Sequence, residues 1–205
     1  MSESMAMSFN FEGAIIWKDL LDREAQQAMV EALRKVAGVA PFRNYETPGG
    51  QKMSVKMSGA GPVAWMSGRS GYGYSRHQPD GGSWPDIPGC VLSVWREVAG
   101  TAPRPDSCLI NFYSEGARMG LHQDQDEANT QWPVVSISLG DDALFRIGGL
   151  SRSAPTKSIW LNSGDVIVLQ GPSRLAYHGV DRIKFASSNL LQKGGRLNVT
   201  LRVAR

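Results

Sequence analysis

Short apolar runs separated by turn signals fill the chain from residue 107 to its end, and this spacing constrains the fold more than any other feature. Strands that follow one another so closely are typical of a sandwich or a barrel, and a double-sheet jelly roll fits as well as any. The turns between them are rich in glycine, asparagine and aspartate. The pattern predicts strands at 108–113, 134–139, 143–147, 158–161, 166–169, 175–178 and 197–203.

The first hundred residues carry a different, partly helical pattern. A short apolar strand is predicted at 13–17, and Asp22 then precedes apolar residues at helical spacing, so it is the expected N-cap of a helix that ends at Gly38. A second helix is predicted at 91–99, with Gly100 as its stop. We therefore expect an α+β, mainly β fold in a single domain, 1–205. Within it, residues 1–42 form a strand and a helix, and residues 86–205 form a helix and the barrel.

The segment between the helices, residues 43–85, is rich in glycine, and its pattern predicts a short strand followed by a hairpin. Residues 53–57 alternate like a strand, and the run 65–74 resembles a hairpin. Short strands with mobile turns suit a lid over a functional site. A surface hairpin without function is an equally simple interpretation of the same residues.

Composition excludes several classes of protein. With 41% hydrophobic and 20% charged residues, the chain is neither intrinsically disordered nor embedded in a membrane. Two cysteines, Cys90 and Cys108, are too few for a disulfide framework. The first twelve residues lack a basic segment followed by an apolar one, so no secretory signal is expected. We expect a cytoplasmic protein that does not bind membranes.

The net charge of +3 is distributed unevenly along the chain. Residues 43–76 hold five basic residues and one acid, and residues 182–205 hold six basic residues and no acid. Such segregation suits phosphate contacts with a polyanion, although solvated surface is the simpler interpretation of charge alone.

Two of the three histidines fit a metal site. His122 and Asp124 stand two residues apart, so on an extended strand their side chains leave from the same face, and His178 ends another predicted strand. Two histidines and one carboxylate form the facial triad of non-haem Fe(II) enzymes that activate oxygen. The alternative is that each histidine is a hydrogen-bonded structural residue.

The last predicted strand carries a row of polar side chains. Arg196, Asn198, Thr200 and Arg202 alternate with apolar residues and therefore share one face. If that face is buried, two unpaired guanidinium groups are prohibitively costly, and a dicarboxylate ligand would satisfy both. If it faces solvent, the apolar residues between them form the core face instead.

Taken in order, these motifs resemble the AlkB family of Fe(II)- and 2-oxoglutarate-dependent dioxygenases, from about Pro41 to Arg202. The run around His122 and Asp124 reads LHQDQDE, the run before it LINFY, the run after it VSISLG, and the run at His178 SRLAYHG. This resemblance implies a double-stranded β-helix, which is the jelly-roll-like barrel expected above, and makes residues 43–85 a nucleotide-recognition lid.

The resemblance also implies roles for individual residues. Fe(II) would be bound by His122, Asp124 and His178, which are thus the catalytic residues. The cosubstrate 2-oxoglutarate, consumed with O2, would be held by Asn111, Phe112, Tyr113, Arg196, Asn198, Thr200 and Arg202. The alkylated base would meet Trp65, Tyr72, Tyr74, Asp126 and Arg152, stacking between Trp65 and His122.

The implied reaction is oxidative demethylation of bases such as 1-methyladenine and 3-methylcytosine with release of formaldehyde. The expected partner is alkylated, mainly single-stranded DNA, with RNA as an alternative, and no obligate protein partner is evident. The sequence departs from the family at Gln125 and Phe112, where relatives often carry a basic residue. Other hypotheses are an oxygenase of RNA, protein or a small metabolite, a non-catalytic nucleic-acid-binding barrel, and a cupin-like metal protein.

Overall fold

The computed structural model describes residues 7–205. The prediction that the first twelve residues hold no secretory signal falls partly on residues 1–6, which lie outside the described residues. The described elements are β1 (Met7–Phe11), β2 (Ala14–Lys18), α1 (Arg23–Val39), β3 (Arg43–Glu46), β4 (Lys52–Ala60), β5 (Ala64–Gly68), β6 (Gly71–Ser75), α2 (Gly89–Val98), β7 (Ser107–Tyr113), β8 (Met119–His122), β9 (Val134–Gly140), β10 (Asp142–Ile147), β11 (Lys157–Leu161), β12 (Val166–Leu169), β13 (His178–Lys184) and β14 (Arg196–Arg202).

Two antiparallel sheets form the core. The large sheet has eight strands in the order β1-β2-β12-β9-β14-β7-β4-β3, and the small sheet has four in the order β11-β10-β13-β8. Apart from the consecutive pairs β1–β2, β3–β4 and β10–β11, neighbouring strands are distant in sequence, as a jelly roll requires. The predicted mainly β, jelly-roll fold is confirmed.

The helices cover the outer face of the large sheet. The Asp22 carboxylate accepts the backbone N–H of Ala25 at 2.8 Å, so it caps α1 as predicted, and the helix runs one residue past Gly38. The apolar stripes of α1 and α2 pack on the sheet through Met29, Leu33, Val36, Val91, Val94 and Trp95. Among residues 7–205, no helix has the length and hydropathy needed to cross a membrane.

Alternation along the central strands builds both layers of the core. On β14, Leu197, Val199 and Leu201 face the helices, and the polar residues between them face the interior between the sheets. Both faces of β14 are therefore buried, and the polar face is the inner one. This decides between the two orientations that the sequence left open.

The segment 43–85 contributes to two different sheets. Strands β3 and β4 belong to the large sheet, where β4 pairs with β7, and β5 and β6 form a separate hairpin. The Ser54 hydroxyl on β4 donates to the carbonyl of Arg118 at 3.0 Å and accepts its N–H at 3.2 Å. One side chain thus joins β4 to the segment before β8, where the two sheets approach each other.

The strand predicted at 175–178 is wrong except for its last residue. A 3-10 turn at Gly171–Ser173 continues into a further turn in which the Ala176 N–H donates to the Ser173 carbonyl. Tyr177 donates its N–H to the carbonyl of Gly149. The backbone therefore enters the small sheet only at His178.

Candidate active site

The two predicted histidine ligands lie side by side on adjacent strands. His122 ends β8, His178 begins β13, and the two are cross-strand partners with ring centroids 4.5 Å apart. Gly179 permits this approach, because a Cβ there would lie 2.6 Å from the Met119 carbonyl oxygen and 2.8 Å from that of Gly120. The sheet register thus places both imidazoles at one point.

Backbone carbonyls orient both imidazole rings. Nδ1 of His122 lies 3.0 Å from the Gly120 carbonyl, and Nδ1 of His178 lies 2.9 Å from that of Ala176. Donation from Nδ1 leaves a lone pair on Nε2, the form of imidazole that binds a metal. Burial, followed by the charge of His122, lowers the pKa of His178 to about 4, so its ring is neutral near pH 7.

Asp124 completes the cluster. Its Oδ1 lies 3.8 Å from His122 Nε2, and its Oδ2 lies 3.8 Å from His178 Nε2. Burial opposes ionisation of this carboxyl group, but Arg202 and the histidines outweigh burial, so the pKa of Asp124 lies well below its ordinary value. The ligand atoms of the three residues all lie within 4.8 Å of one another, which is the donor set of the predicted triad.

Two buried arginines face the same space from β14. Arg196 donates from Nη2 to the Ser138 hydroxyl at 2.7 Å and from Nη1 to the Asp141 carbonyl at 3.3 Å. Arg202 donates from Nη2 to Asp124 Oδ2 at 2.9 Å. Nε of Arg196 and both Nε and Nη1 of Arg202 are buried without a hydrogen-bond partner among residues 7–205. Buried donors left unpaired cost about 1–3 kcal/mol each, so both guanidinium groups favour an anionic ligand.

Uncharged polar groups lie beside these arginines. Asn198 donates to the Ser136 hydroxyl at 2.6 Å and accepts the Thr200 hydroxyl at 3.1 Å. The Asn111 amide nitrogen lies 3.4 Å from the Asn198 carbonyl oxygen, and its own Oδ1 is unpaired in the described part of the chain. Tyr113 is fully buried on the same face of β7 as Asn111. These residues line the cavity.

The hairpin β5–β6 brings aromatic side chains to the metal ligands. Trp65 and Tyr74 are cross-strand partners, and the Trp65 ring lies nearly parallel to that of Tyr72 at 5.5 Å. The Trp65 indole N–H donates to Asp126 Oδ2 at 2.8 Å, and the Tyr74 hydroxyl donates to Glu127 Oε1 at 2.6 Å. Tyr72 is 49% exposed. The hairpin thus rests on the two residues that follow Gln125.

All of these groups line one cavity of about 610 Å³ between the two sheets. This volume lies within the usual range for small-molecule sites. The wall carries the triad, the polar face of β14 and the hairpin aromatics, and Arg152 is exposed at its rim. The sequence-predicted metal, cosubstrate and substrate residues therefore meet at one site, with one exception described below.

Comparison with known proteins agrees with this geometry. The sequence model of the 2OG-Fe(II) oxygenase superfamily matches residues 13–202. The alpha-ketoglutarate-dependent dioxygenase AlkB homolog of Caulobacter vibrioides is 54% identical over 94% of this chain and 88% of its own length. The chain belongs to the AlkB family of Fe(II)- and 2-oxoglutarate-dependent dioxygenases.

Two further similarities extend over nearly the whole dioxygenase. The alpha-ketoglutarate-dependent dioxygenase AlkB of Escherichia coli is 41% identical over 94% of this chain and 90% of its own length. The solved structure of OsALKBH1 superposes with a TM-score of 0.79 at 30% identity, covering 95% of this chain and 98% of that one. This dioxygenase requires Fe(II), 2-oxoglutarate and O2, as the sequence predicted.

The residues present in this AlkB-family chain fit those groups. His122, Asp124 and His178 supply the donor set that Fe(II) needs. The unpaired donors of Arg196 and Arg202, with the unpaired Asn111 oxygen, are the polar atoms that a bound 2-oxoglutarate would satisfy. Burial lowers the pKa of Arg196 to about 10, which still leaves it protonated near pH 7.

The structure corrects one predicted cosubstrate residue. Phe112 lies on the opposite face of β7 from Asn111 and Tyr113, and its ring packs against Phe42 at 6.0 Å on the helix side of the sheet. Successive side chains of a strand point to opposite faces, so the Phe112 side chain does not reach the cavity. A second difference concerns Asp124, which lies beyond the end of β8 rather than on an extended strand with His122.

Sequence reasoning missed two buried residues of the site. The Arg174 guanidinium holds the segment that carries Asp124 through the carbonyls of Asp124 and Trp132, both at 2.6 Å. It also donates to Glu127 Oε2 at 3.0 Å. The side chains of Arg174 and Glu127 are 4% and 2% exposed. Both residues lie in runs that resemble the AlkB family, LHQDQDE and SRLAYHG, but their charges alone suggested surface positions.

Proposed function

We propose that this dioxygenase removes alkyl groups from ring nitrogens of bases such as 1-methyladenine and 3-methylcytosine in DNA, preferably single-stranded, and releases formaldehyde. The observation that carries the proposal is the pairing of Trp65 with Asp126 at the mouth of the metal cavity. An aromatic face beside a carboxylate suits a base that carries a positive charge.

With Fe(II) and 2-oxoglutarate bound, O2 would supply the oxygen atom that converts one methyl C–H bond into C–OH, and its other oxygen atom would oxidise 2-oxoglutarate to succinate and CO2. The product, N–CH2–OH, is a hemiaminal, which divides into the N–H of the restored base and formaldehyde. The protein positions the base for this chemistry. Trp65 offers a stacking surface, and His122, whose side chain is 37% exposed, offers a second ring beside the metal.

Charge on the surface supports a nucleic-acid substrate. Lys52, Lys56, Arg69 and Arg76 are all exposed, and Arg152 is exposed at the cavity rim. Phosphate contacts from such residues provide affinity without sequence preference. In this proposal they replace the basic residue that relatives often carry at the position of Gln125.

Relatives with printed substrates support the same class. A DNA N(6)-methyladenine demethylase of Arabidopsis thaliana is 32% identical over 93% of this chain, which spans 49% of that protein. A tRNA demethylase of Schizosaccharomyces pombe is 38% identical over 39% of this chain and 26% of its own length. RNA is therefore the second candidate substrate. Cys90 and Cys108, both free thiols, suit the proposed cytoplasmic location.

The test is release of formaldehyde and repaired base from methylated DNA and RNA oligonucleotides, single-stranded and duplex. We expect the highest kcat/KM on single-stranded DNA that carries 1-methyladenine or 3-methylcytosine. Release of no formaldehyde from either lesion, by protein that still oxidises 2-oxoglutarate, would refute the proposal.

A carboxylate-to-amide substitution tests the role of Asp126. Asp126→Asn keeps the shape of the side chain and removes its charge, so kcat/KM on these cationic bases should fall about tenfold, the equivalent of roughly 1.4 kcal/mol. The matched control is Asp86→Asn, because Asp86 is exposed and lies outside the cavity. Equal activity of both variants on both lesions would remove Asp126 from base recognition.

A further inference from the structure

Glu127 is a buried carboxylate that neither the metal site nor the proposed base site uses. Its side chain is 2% exposed, and three groups surround it. Arg174 Nη2 donates to Oε2 at 3.0 Å, and the Tyr74 hydroxyl donates to Oε1 at 2.6 Å. Arg202 Nε lies 3.1 Å from Oε1, an ion-pair contact without the geometry of a hydrogen bond. One of these partners lies on the hairpin, and another lies on β14 beside the metal ligands.

The hairpin β5–β6 is held at two cross-strand positions by consecutive acids. Trp65 binds the exposed Asp126, and its partner on β6, Tyr74, binds the buried Glu127. Burial raises the pKa of the Tyr74 hydroxyl above its ordinary value; Arg202 lowers it and Glu127 raises it further. Tyr74 is therefore a permanent donor to Glu127.

Arg202 extends this chain of contacts to the cosubstrate pocket. Its Nη2 binds the metal ligand Asp124, its Nε faces Glu127, and its Nη1 is buried without a partner within residues 7–205. That free donor lies in the cavity wall. Glu127 thus contacts both Arg202 and Tyr74.

We propose that Glu127 is a positioning residue that couples the hairpin β5–β6 to the cosubstrate pocket, so that 2-oxoglutarate held at Arg202 orders the hairpin through Glu127 and Tyr74. A carboxylate bound at Arg202 restricts that side chain and with it the acceptor that Tyr74 uses. Glu127 is then already ordered and loses less conformational entropy when Tyr74 binds it. By linkage, an ordered hairpin strengthens cosubstrate binding by the same factor.

Only the biological purpose of this coupling rests on the proposed function. If the hairpin receives the base, cosubstrate binding prepares the base site before a substrate arrives. The physical link itself requires no nucleic acid. A purely structural role for Glu127, as the counter-charge of buried Arg174, predicts no response of the hairpin to 2-oxoglutarate.

Hydrogen exchange of the full chain, loaded with Mn(II) and measured with and without 2-oxoglutarate, tests the coupling. In the wild-type protein the cosubstrate should slow exchange of backbone amides in residues 64–75 by about fivefold or more, a typical size for coupling between two sites. In Tyr74→Phe and in Glu127→Gln this slowing should fall below about twofold. Binding of 2-oxoglutarate is followed calorimetrically, so exchange is compared at equal occupancy.

Matched variants separate the link from general effects. Tyr72→Phe removes a hydroxyl from the same strand, and Glu97→Gln neutralises an exposed acid on α2; both should keep the wild-type slowing. If Glu127→Gln fails to fold, Tyr74→Phe still decides the matter, because it leaves the Glu127–Arg174 pair intact. The double variant should lose no more than either single one, since both changes cut the same link.

Two results overturn the proposal. One is a wild-type hairpin whose exchange does not respond to 2-oxoglutarate. The other is a Tyr74→Phe hairpin that responds as the wild-type does. Neither depends on demethylation, so loss of the proposed function, seen as absence of formaldehyde, is recognised separately.

Discussion

Gly179→Ala offers a sharp test of how the fold builds the metal site. An added Cβ would lie 2.6 Å from the Met119 carbonyl oxygen and 2.8 Å from that of Gly120, and both contacts are with backbone. Strand β8 must therefore move away from β13. Because His122 and His178 are cross-strand partners at this point, the displacement separates the two ligands.

The magnitude follows from the type of contact. Forcing one extra carbon into a packed site costs about 1–3 kcal/mol in the free energy of unfolding. For a chain of this length that lowers Tm by roughly 2–4 °C for each kcal/mol. Displacing a ligand from its oriented position lowers metal affinity by about 10–100-fold.

Metal affinity is measured by titration with Mn(II), and stability by thermal and denaturant unfolding without metal. Gly120→Ala is the matched control on the facing strand, because a Cβ there meets no atom within 4 Å. At such a position, alanine stabilises by about 0.4–1 kcal/mol through the unfolded state. If Gly179→Ala binds Mn(II) like the wild-type protein and melts no lower than Gly120→Ala, the close approach of the strands does not set the ligand geometry.

Three further predictions concern single side chains. Ser138→Ala removes the acceptor of Arg196 Nη2, so the KM for 2-oxoglutarate should rise about tenfold with kcat nearly unchanged, as steady-state kinetics will show. Arg174→Met leaves Glu127 without its main counter-charge and should cost about 3–5 kcal/mol in unfolding free energy, whereas exposed Arg182→Met should cost little in the same denaturant titration. Ser54→Ala breaks two hydrogen bonds to Arg118 and should cost about 1–2 kcal/mol, with faster exchange of the Arg118 amide.

The sequence predicted the barrel well because its signals are local. Period-two alternation and turn residues are properties of a few neighbouring positions, and they located six of the seven predicted strands to within a residue or two. The failure at 175–178 has a local cause as well. Its apolar residues fill a turn whose amides bond to Ser173 and Gly149, and apolar content alone does not distinguish such a turn from a strand.

Orientation needed more than alternation. Along residues 196–202, period two shows which side chains share a face but not which face is inside. Here helices cover one side and the cavity lies on the other, so both faces are buried. The same rule, applied to β7, is sufficient to separate Phe112 from Asn111 and Tyr113. Proximity of these three residues in the motif therefore does not give them a shared role.

The buried charges were beyond sequence reasoning for a physical reason. Glu127 lies in a run with Asp124 and Asp126, and three acids in four residues are typical of a solvated surface. Its burial is tolerated because the carboxylate pairs with Arg174 and Arg202, which are distant in sequence. Glu127 lies between a tyrosine of the hairpin and an arginine of the cosubstrate pocket. Coupling between the hairpin and the pocket explains its burial better than a contribution to the stability of the fold. Replacing a buried ion pair with apolar residues is often neutral or stabilising.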